Sequence, residues 1–420
     1  MKDFLQFLIE TSTLKKTPRT GFVWLEIKNP ETIGQHIFRV AIMNWVLAEK
    51  VEPKLNIKKI IQISLVHDLC EVYAGDMTPY WGLLPEDKEK RKEVLKRWIR
   101  LPKKEKEKRD KEKFQKEKKA LLKLTQGLDP KQKTEIINCW LEYEKLISPE
   151  GRFVRQGDKV ETLLQAIEYW GTKPDTPVMG WWEEVEDLVD NPVLLEFLDQ
   201  IEKKFYQNKK INGELQFLLE VGKLKTFLRK GWVLRKVKNP ETIAEHTFLF
   251  AIASWLLGEE KRKLNIESLL KISLIYEICE LYAGDTTPYD EILSKNKTKR
   301  EEEILKRWPR TTKKSKEKNF SKDYEKEKEA LKKITSSLEK NLQKEMINLW
   351  NDCKQMNTKE GKFANQVYWI TTYLQALQYF KEDKKFPIFA WYEQMREFIE
   401  DPLLLKLMEE MENKFLIKNN

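Results

Sequence analysis

The residues best equipped for chemistry crowd into one stretch, Leu65–Tyr80, which reads LVHDLCEVYAGDMTPY. His67 and Asp68 are adjacent, Glu71 follows one helical turn after His67, and Asp76 lies just beyond. On an α-helix, residues i and i+4 share a face and i+1 sits about 100° away. One short apolar helix would therefore aim an imidazole and two carboxylates at roughly one point. The chain has only three histidines. The other two, His36 and His246, fall at matching places in an internal repeat, so these side chains are not scattered over a polar surface.

The repeat spans the chain. Lys28–His36 (KNPETIGQH) returns as Lys238–His246 (KNPETIAEH), Leu65–Tyr80 as Leu274–Tyr289 (LIYEICELYAGDTTPY), and Gly151–Trp170 as Gly361–Phe380. A near-constant separation of roughly 210 residues marks a duplicated domain, not a solenoid of small units. Leu5–Leu8 and Leu215–Leu218 share LQFL. Domains are therefore expected over 1–207 and 212–420, with Gln207–Gly213 as a polar linker.

Each copy must position its reactive residues with helices. The first copy reads as an amphipathic helix over Leu5–Leu14 and an irregular connector over Arg19–Lys28. A long apolar helix follows over Glu31–Val51, begun by Asn29 as cap and Pro30 in the first turn. Another covers Ile57–Tyr73 and stops at Gly75-Asp76. Further helices are expected over Asp87–Trp98, the charged stretch after it, Pro130–Leu146, Arg152–Trp170 and Val193–Phe205. Alternating β patterns are absent, so the expected fold class is all-α with no sheet of consequence.

These helices would let His36, His67, Asp68 and Asp158 meet around one divalent cation. Two imidazoles and two carboxylates form a mixed nitrogen–oxygen set, suited to Mn, Co, Fe, Ni or Zn over Ca or Mg. A lone buried histidine is usually a hydrogen-bonded core residue. A His-Asp doublet flanked by another His and another Asp is harder to explain that way, because its buried charge needs partners.

The order His … His-Asp … Asp on helices resembles the HD-domain metal-dependent phosphohydrolases, and is most similar to their 5′-deoxynucleotidase group. The resemblance covers nearly all of copy one. It includes RTGFVW (Arg19–Trp24), NPETIGQH (Asn29–His36), LVHDLCEVYAGDMTP (Leu65–Pro79) and RFVRQGDKVETLLQA (Arg152–Ala166), in the family's order. It implies removal of phosphate from (deoxy)nucleoside 5′-monophosphates, with one divalent transition metal ion on His36, His67, Asp68 and Asp158. It also implies that Glu71 and Asp76 face the substrate and that Arg19 grips its phosphate. Related single-domain proteins are commonly homodimers, so the two halves are expected to pack as a pseudo-symmetric pair within the chain.

The chemistry agrees. Glu71 could take a proton from a metal-activated water or instead orient His67. Arg19 could pair bidentately with phosphate oxygens or be an ordinary surface arginine. Asp76 could bind a sugar hydroxyl, protonate the leaving oxygen or cap the next turn. Trp24 and Phe22 could line a base pocket or pack in the core.

Copy two keeps Arg229, His246, Glu280 and Asp285 but has Tyr276, Glu277 and Tyr368 where copy one has His67, Asp68 and Asp158. It is expected to bind no catalytic metal. Its two tyrosines would fill the hole, their hydroxyls finding Glu277 or His246.

Composition narrows the alternatives. Hydrophobic residues make up 40% of the chain, with 14 Trp, enough for two cores, and the low Gly and Pro content argues against collagen-like or disordered classes. Half of the net charge of +10 sits in Lys103–Lys119, with ten basic residues against five acidic. Its interleaved signs fit a solvated helical hairpin. The rivals are a triphosphohydrolase or pyrophosphohydrolase of the same superfamily, and a basic nucleic-acid-binding scaffold whose metal site is structural. The four cysteines show no C-x-x-C spacing, which disfavours a zinc knuckle or redox pair and fits a reducing cytoplasm. The N-terminus lacks a signal-peptide core and no long apolar run appears, so no membrane partner is expected.

Overall fold

The computed structural model of the chain describes residues 1–78, 80–172, 176–295, 301–310 and 313–417. Pro79, within the motif quoted above, lies outside them. The described residues are helical, with two isolated β-bridges, Pro18↔Thr32 and Leu228↔Thr242, and no strand among them. Two compact units result: Phe7–Leu219, and Met1–Gln6 with Glu220–Asn420.

The first half carries α1 (Lys2–Thr11), α2 (Thr20–Trp24), α3 (Ile33–Ala48), α4 (Ile57–Val66), α5 (Glu71–Ala74), α6 (Lys88–Leu95), α7 (Lys103–Leu124), α8 (Pro130–Lys145), α9 (Pro149–Trp170), α10 (Val178–Leu188) and α11 (Pro192–Phe205). All of α3, IGQHIFRVAIMNWVLA, is buried, as a helix apolar around its whole circumference must be. Burying Ile37, Phe38, Val40 and Ile42 stabilises the fold by roughly 1.5–3 kcal/mol each.

This helix starts later than Asn29-Pro30 suggested. Thr32 is the cap: its Oγ1 accepts from the Gln35 amide at 3.3 Å, while Gln35 Oε1 accepts from the Thr32 amide at 2.9 Å. That reciprocal box satisfies two otherwise orphaned donors. Residues before it are extended instead. The Arg19 amide donates to Glu31 O and the Ile33 amide to Thr17 O, both at 2.9 Å. The bridge pins Arg19 beside the start of α3.

The single helix expected over Ile57–Tyr73 is divided. Beyond Val66 the backbone tightens, with Leu69 N–H on Val66 O and Glu71 N–H on Asp68 O, both 3.0 Å. These i→i−3 bonds put i and i+3 in line, so Glu71 lines up with Asp68, not with His67. Gly75, at φ +75°, ends α5 in a conformation that disfavours other residues.

α9 crosses very close to α3. A Cβ on Gly157 would lie 1.8 Å from Asn44 Oδ1, so any side chain there would have to displace the buried Asn44 carboxamide of α3. The unforeseen α10 packs on α9, with Trp181 stacked on Trp170 at 5.7 Å. The charged run forms no hairpin by itself. It is the single helix α7, whose C-terminal half buries Glu117, Ala120, Leu121 and Leu124.

The second half repeats the order as α12 (Glu214–Gly222), α13 (Lys230–Leu234), α14 (Ile243–Glu259), α15 (Ile266–Ile275), α16 (Glu280–Ala283), α17 (Asp290–Lys295), α18 (Glu301–Leu305), α19 (Lys313–Ile334), α20 (Lys340–Lys354), α21 (Lys359–Glu382), α22 (Ile388–Phe398) and α23 (Pro402–Phe415). Its Thr242–Glu245 capping box matches that of Thr32–Gln35. All four cysteines are free and buried. No described helix is long and apolar enough to cross a membrane.

Candidate metal centre

Three separate segments meet at the first centre. α3 supplies His36, the tight turn after α4 supplies His67 and Asp68, and α9 supplies Asp158. His36 Nε2 lies 3.0 Å from Asp158 Oδ1, 3.3 Å from His67 Nε2 and 3.8 Å from Asp68 Oδ2. His67 Nε2 lies 3.2 Å from Asp68 Oδ2 and 3.9 Å from Asp158 Oδ1.

The other ring nitrogens decide what these atoms can do. His67 Nδ1 faces the Ser64 carbonyl at 2.7 Å. A carbonyl only accepts, so that nitrogen carries the proton. His36 Nδ1 faces the Glu161 carboxylate at 2.5 Å and donates to it. Whenever they carry no proton, both Nε2 atoms turn lone pairs on each other, among carboxylate oxygens. Four electron-rich atoms gathered this way repel unless positive charge sits between them. Donors about 2.1 Å from a shared ion stand about 3.0–3.4 Å apart, so the set fits a divalent cation.

The electrostatics show the same demand for positive charge, met by a proton when no cation is bound. Burial opposes charge on His36, as does Arg19, yet Glu161 and Asp158 outweigh both and push the imidazole up to about 9. Burial works against ionising Asp68, but His67 and Arg19 hold its carboxyl below the usual range. Asp158 is likewise buried and held low, by Lys159 and the two imidazoles.

Four residues that the sequence reading overlooked build this arrangement. Glu161 fixes the His36 ring. Arg39, fully buried, grips Glu161 through Nε at 2.6 Å, Glu168 through Nη1 at 2.6 Å and Gln165 through Nη2 at 3.0 Å. The Tyr143 hydroxyl donates to Asp158 Oδ2 at 2.6 Å, and Lys159 Nζ stands 3.1 Å from the same oxygen. One signal was available: an arginine three residues after His36 in an apolar helix demands a buried partner. Glu31, His36 and Glu161 form a second acidic grouping, but Arg39 already supplies its positive charge.

The first centre borders a cavity of about 1010 Å³ that exposes Arg19, His67, Asp68, Glu71, Asp76 and Asp158 in its lining. Glu71 is buried, and its Oε2 has no hydrogen-bond partner. Burial, Asp68 and Asp76 push its carboxyl well above the ordinary value. It does not orient His67, because Ser64 O does. Arg19 is no surface residue: Nη1 lies 3.7 Å from Asp68 without a hydrogen-bond partner, and Nη2 reaches Thr162 Oγ1 at 3.4 Å. Asp76 Oδ2 accepts from the Thr20 amide at 2.6 Å and sits 3.9 Å from Arg19 Nε, so it holds the start of α2. Phe22 packs among Tyr169, Trp170 and Trp181, and both Phe22 and Trp24 line the cavity.

The family model described as HD domain matches residues 11–180, 221–323 and 311–403. The chain belongs to the HD domain family. A similar protein, 5′-deoxynucleotidase HDDC2 of Xenopus laevis, is 33% identical over 168 residues, covering 40% of this chain and 70% of that one. The Homo sapiens 5′-deoxynucleotidase HDDC2 is 29% identical over 203 residues, 48% of this chain and 85% of its own. A conserved hypothetical protein from Pyrococcus furiosus aligns over 48% of this chain and 99% of its own, at 23% identity and a TM-score of 0.36.

The second HD copy is wired differently. Glu277 Oε2 lies 2.6 Å from His246 Nδ1, and Glu277 Oε1 lies 3.4 Å from Arg229 Nε. Arg229 also donates through Nη2 to the Tyr368 hydroxyl at 2.6 Å and through Nη1 to Glu241 at 3.2 Å. His246 Nε2 meets Thr371 Oγ1 at 3.1 Å, and the Tyr276 hydroxyl accepts from Asn365 at 3.4 Å. The tyrosines thus fill space, but their hydroxyls meet Arg229 and Asn365 in place of the expected Glu277 and His246. A guanidinium thus stands beside the carboxylate. Glu161 and Arg39 have become Thr371 and Leu249. Asp285 still accepts from the Lys230 amide at 2.6 Å, so this HD copy keeps the Asp76-type tether without the ligand set.

Proposed function

We propose that this HD protein is a metal-dependent phosphohydrolase that removes phosphate from (deoxy)nucleoside 5′-monophosphates, at one site in residues 1–207. Residues 212–420 form a pseudo-catalytic half. The observation that carries the reading is the convergence of two imidazole Nε2 atoms and two carboxylates beside a cavity large enough for a nucleotide. The similar proteins named 5′-deoxynucleotidase support the substrate class.

His36, His67, Asp68 and Asp158 would hold the cation. When bound, a divalent transition ion lowers the pKa of water and polarises a phosphoryl oxygen. Arg19 turns its unpartnered Nη1 to the phosphate oxygens, and Asp76 positions Arg19 for that contact. Glu71 takes a proton from the attacking water as the new O–P bond forms and the bond from phosphorus to the 5′ oxygen breaks. The same proton then passes to the departing nucleoside oxygen.

A triphosphate would need more free cations. Of the other cations lining the cavity, Lys113, Arg152, Arg155 and Lys159 each face a carboxylate, Glu117 at 3.4 Å, Asp190 at 3.0 Å, Glu144 at 3.4 Å and Asp158 at 3.1 Å, and Arg109 donates to the Trp81 carbonyl. Lys106 also lines it, so the monophosphate reading rests on the named relatives more than on the charge count. The charges of α7 pair along the helix in the same way, Lys103 with Glu107 at 4.0 Å and Lys108 with Glu112 at 3.9 Å, which disfavours a nucleic-acid scaffold.

Purified protein supplied with Mn²⁺ or Co²⁺ is expected to release phosphate from dAMP, to leave dATP intact and to retain one metal ion per chain. Inactivity on every nucleoside monophosphate, or two ions per chain, would overturn the reading. Glu161→Gln is expected to weaken metal binding about 10–100-fold, the usual effect of losing a carboxylate behind a ligating imidazole. Titration of the metal-free protein measures it.

A further inference from the structure

We propose that Trp81 is the platform on which the nucleobase of the substrate stacks, an inference that rests on the nucleotide phosphohydrolase reading above. Trp81 lines the same cavity as Arg19 and Asp68. Its side chain is 51% exposed, whereas Trp45 and Trp140 are fully buried. A large indole left half in water at a cavity wall forgoes the burial that normally stabilises it.

The exposure is held in place. The Trp81 amide donates to Thr78 O at 3.0 Å, and the Tyr80 hydroxyl anchors the preceding residue to Arg97 O at 2.6 Å. Arg109 on α7 donates to the Trp81 carbonyl, and Lys116 on the same helix places its Nζ 5.0 Å from the ring centroid. The ammonium sits over the ring while half of the side chain stays open to the cavity. α7 also packs on α5, the helix that Glu71 opens, so one wall joins the indole to the reactive carboxylates. In the second copy the matching residue is Asp290, whose carboxylate is taken by Lys230 Nζ at 2.6 Å and Thr287 Oγ1 at 2.7 Å. The platform and the metal ligands are missing together from that copy.

Stacking reads a π-face, which every base has, so the site should accept purines and pyrimidines alike. Trp81→Ala is expected to raise KM for dAMP, dCMP and dTMP about tenfold each, or about 1.4 kcal/mol, with kcat little changed. Trp81→Phe should recover most of the loss. Deoxyribose 5-phosphate, which has no base, should be hydrolysed equally well by wild type and variant. An unchanged KM for the nucleotides, an equal rise for deoxyribose 5-phosphate, or no rescue by phenylalanine would overturn the platform. Binding of the methylenephosphonate analogue of dAMP, measured by calorimetry on the metal-loaded full chain, tests the platform independently of turnover. Affinity unaffected by Trp81→Ala refutes it. A wild type that binds the analogue through Trp81 but hydrolyses no nucleotide would refute the phosphohydrolase reading alone.

Discussion

His67→Ala should bring phosphate release to the limit of detection and leave the protein without bound metal, while His246→Ala should leave turnover nearly unchanged. The two histidines occupy comparable buried places, so a general packing role predicts similar losses. Their surroundings predict opposite outcomes. His67 contributes a lone pair that points at three other donors, and nothing nearby replaces it. His246 gives Nδ1 to Glu277, which also has Arg229 at 3.4 Å, and Nε2 to Thr371. Removing its ring weakens a buried polar network, at a cost of about 1–3 kcal/mol in stability, without touching the first centre. Phosphate assay, metal analysis and thermal unfolding of both variants make the comparison. Equal losses of activity would contradict the one-site proposal.

Glu71→Gln should lower kcat by about 10²–10⁴-fold, the range for losing a positioned general base, with metal content and KM largely retained. Glutamine keeps the shape and the hydrogen-bonding capacity but cannot accept the proton. The sign of the pH dependence follows from the carboxyl's raised position. Below its pKa Glu71 is protonated and cannot act as a base, so wild-type kcat should rise with pH through that value. The variant should lack this acid limb. Full activity in Glu71→Gln, or an unchanged limb, would assign the base elsewhere.

Several features were legible in the residues alone. Helical periodicity without alternation led to the all-α class, and the repeat was visible because KNPETI and LYAGD-type strings recur at constant spacing. The four ligand candidates stood out because ionisable residues in apolar segments demand partners. The fine course of the backbone was not legible in this way. Asn29-Pro30 and Thr32 are both sound helix-start signals, and Thr32 prevailed because Gln35 completes its box while residues 17–19 draw the preceding segment into a bridge. The His67 ring takes the Ser64 carbonyl beside the switch to i→i−3 bonding, and no local propensity reports a bond made by a ring.

Residue identity and spacing single out the candidate ligands and show Tyr276, Glu277 and Tyr368 at the matching places of copy two. How these side chains are coupled emerges in the fold. Arg39 reaches Glu161 across more than a hundred residues of chain, Gly157 leaves room for the Asn44 side chain between α9 and α3, and Arg229 stands 3.4 Å from Glu277 in copy two. Such couplings depend on distances between helices remote in sequence, and burial alone makes them strong, because a charge removed from water must be met by another within a few ångströms.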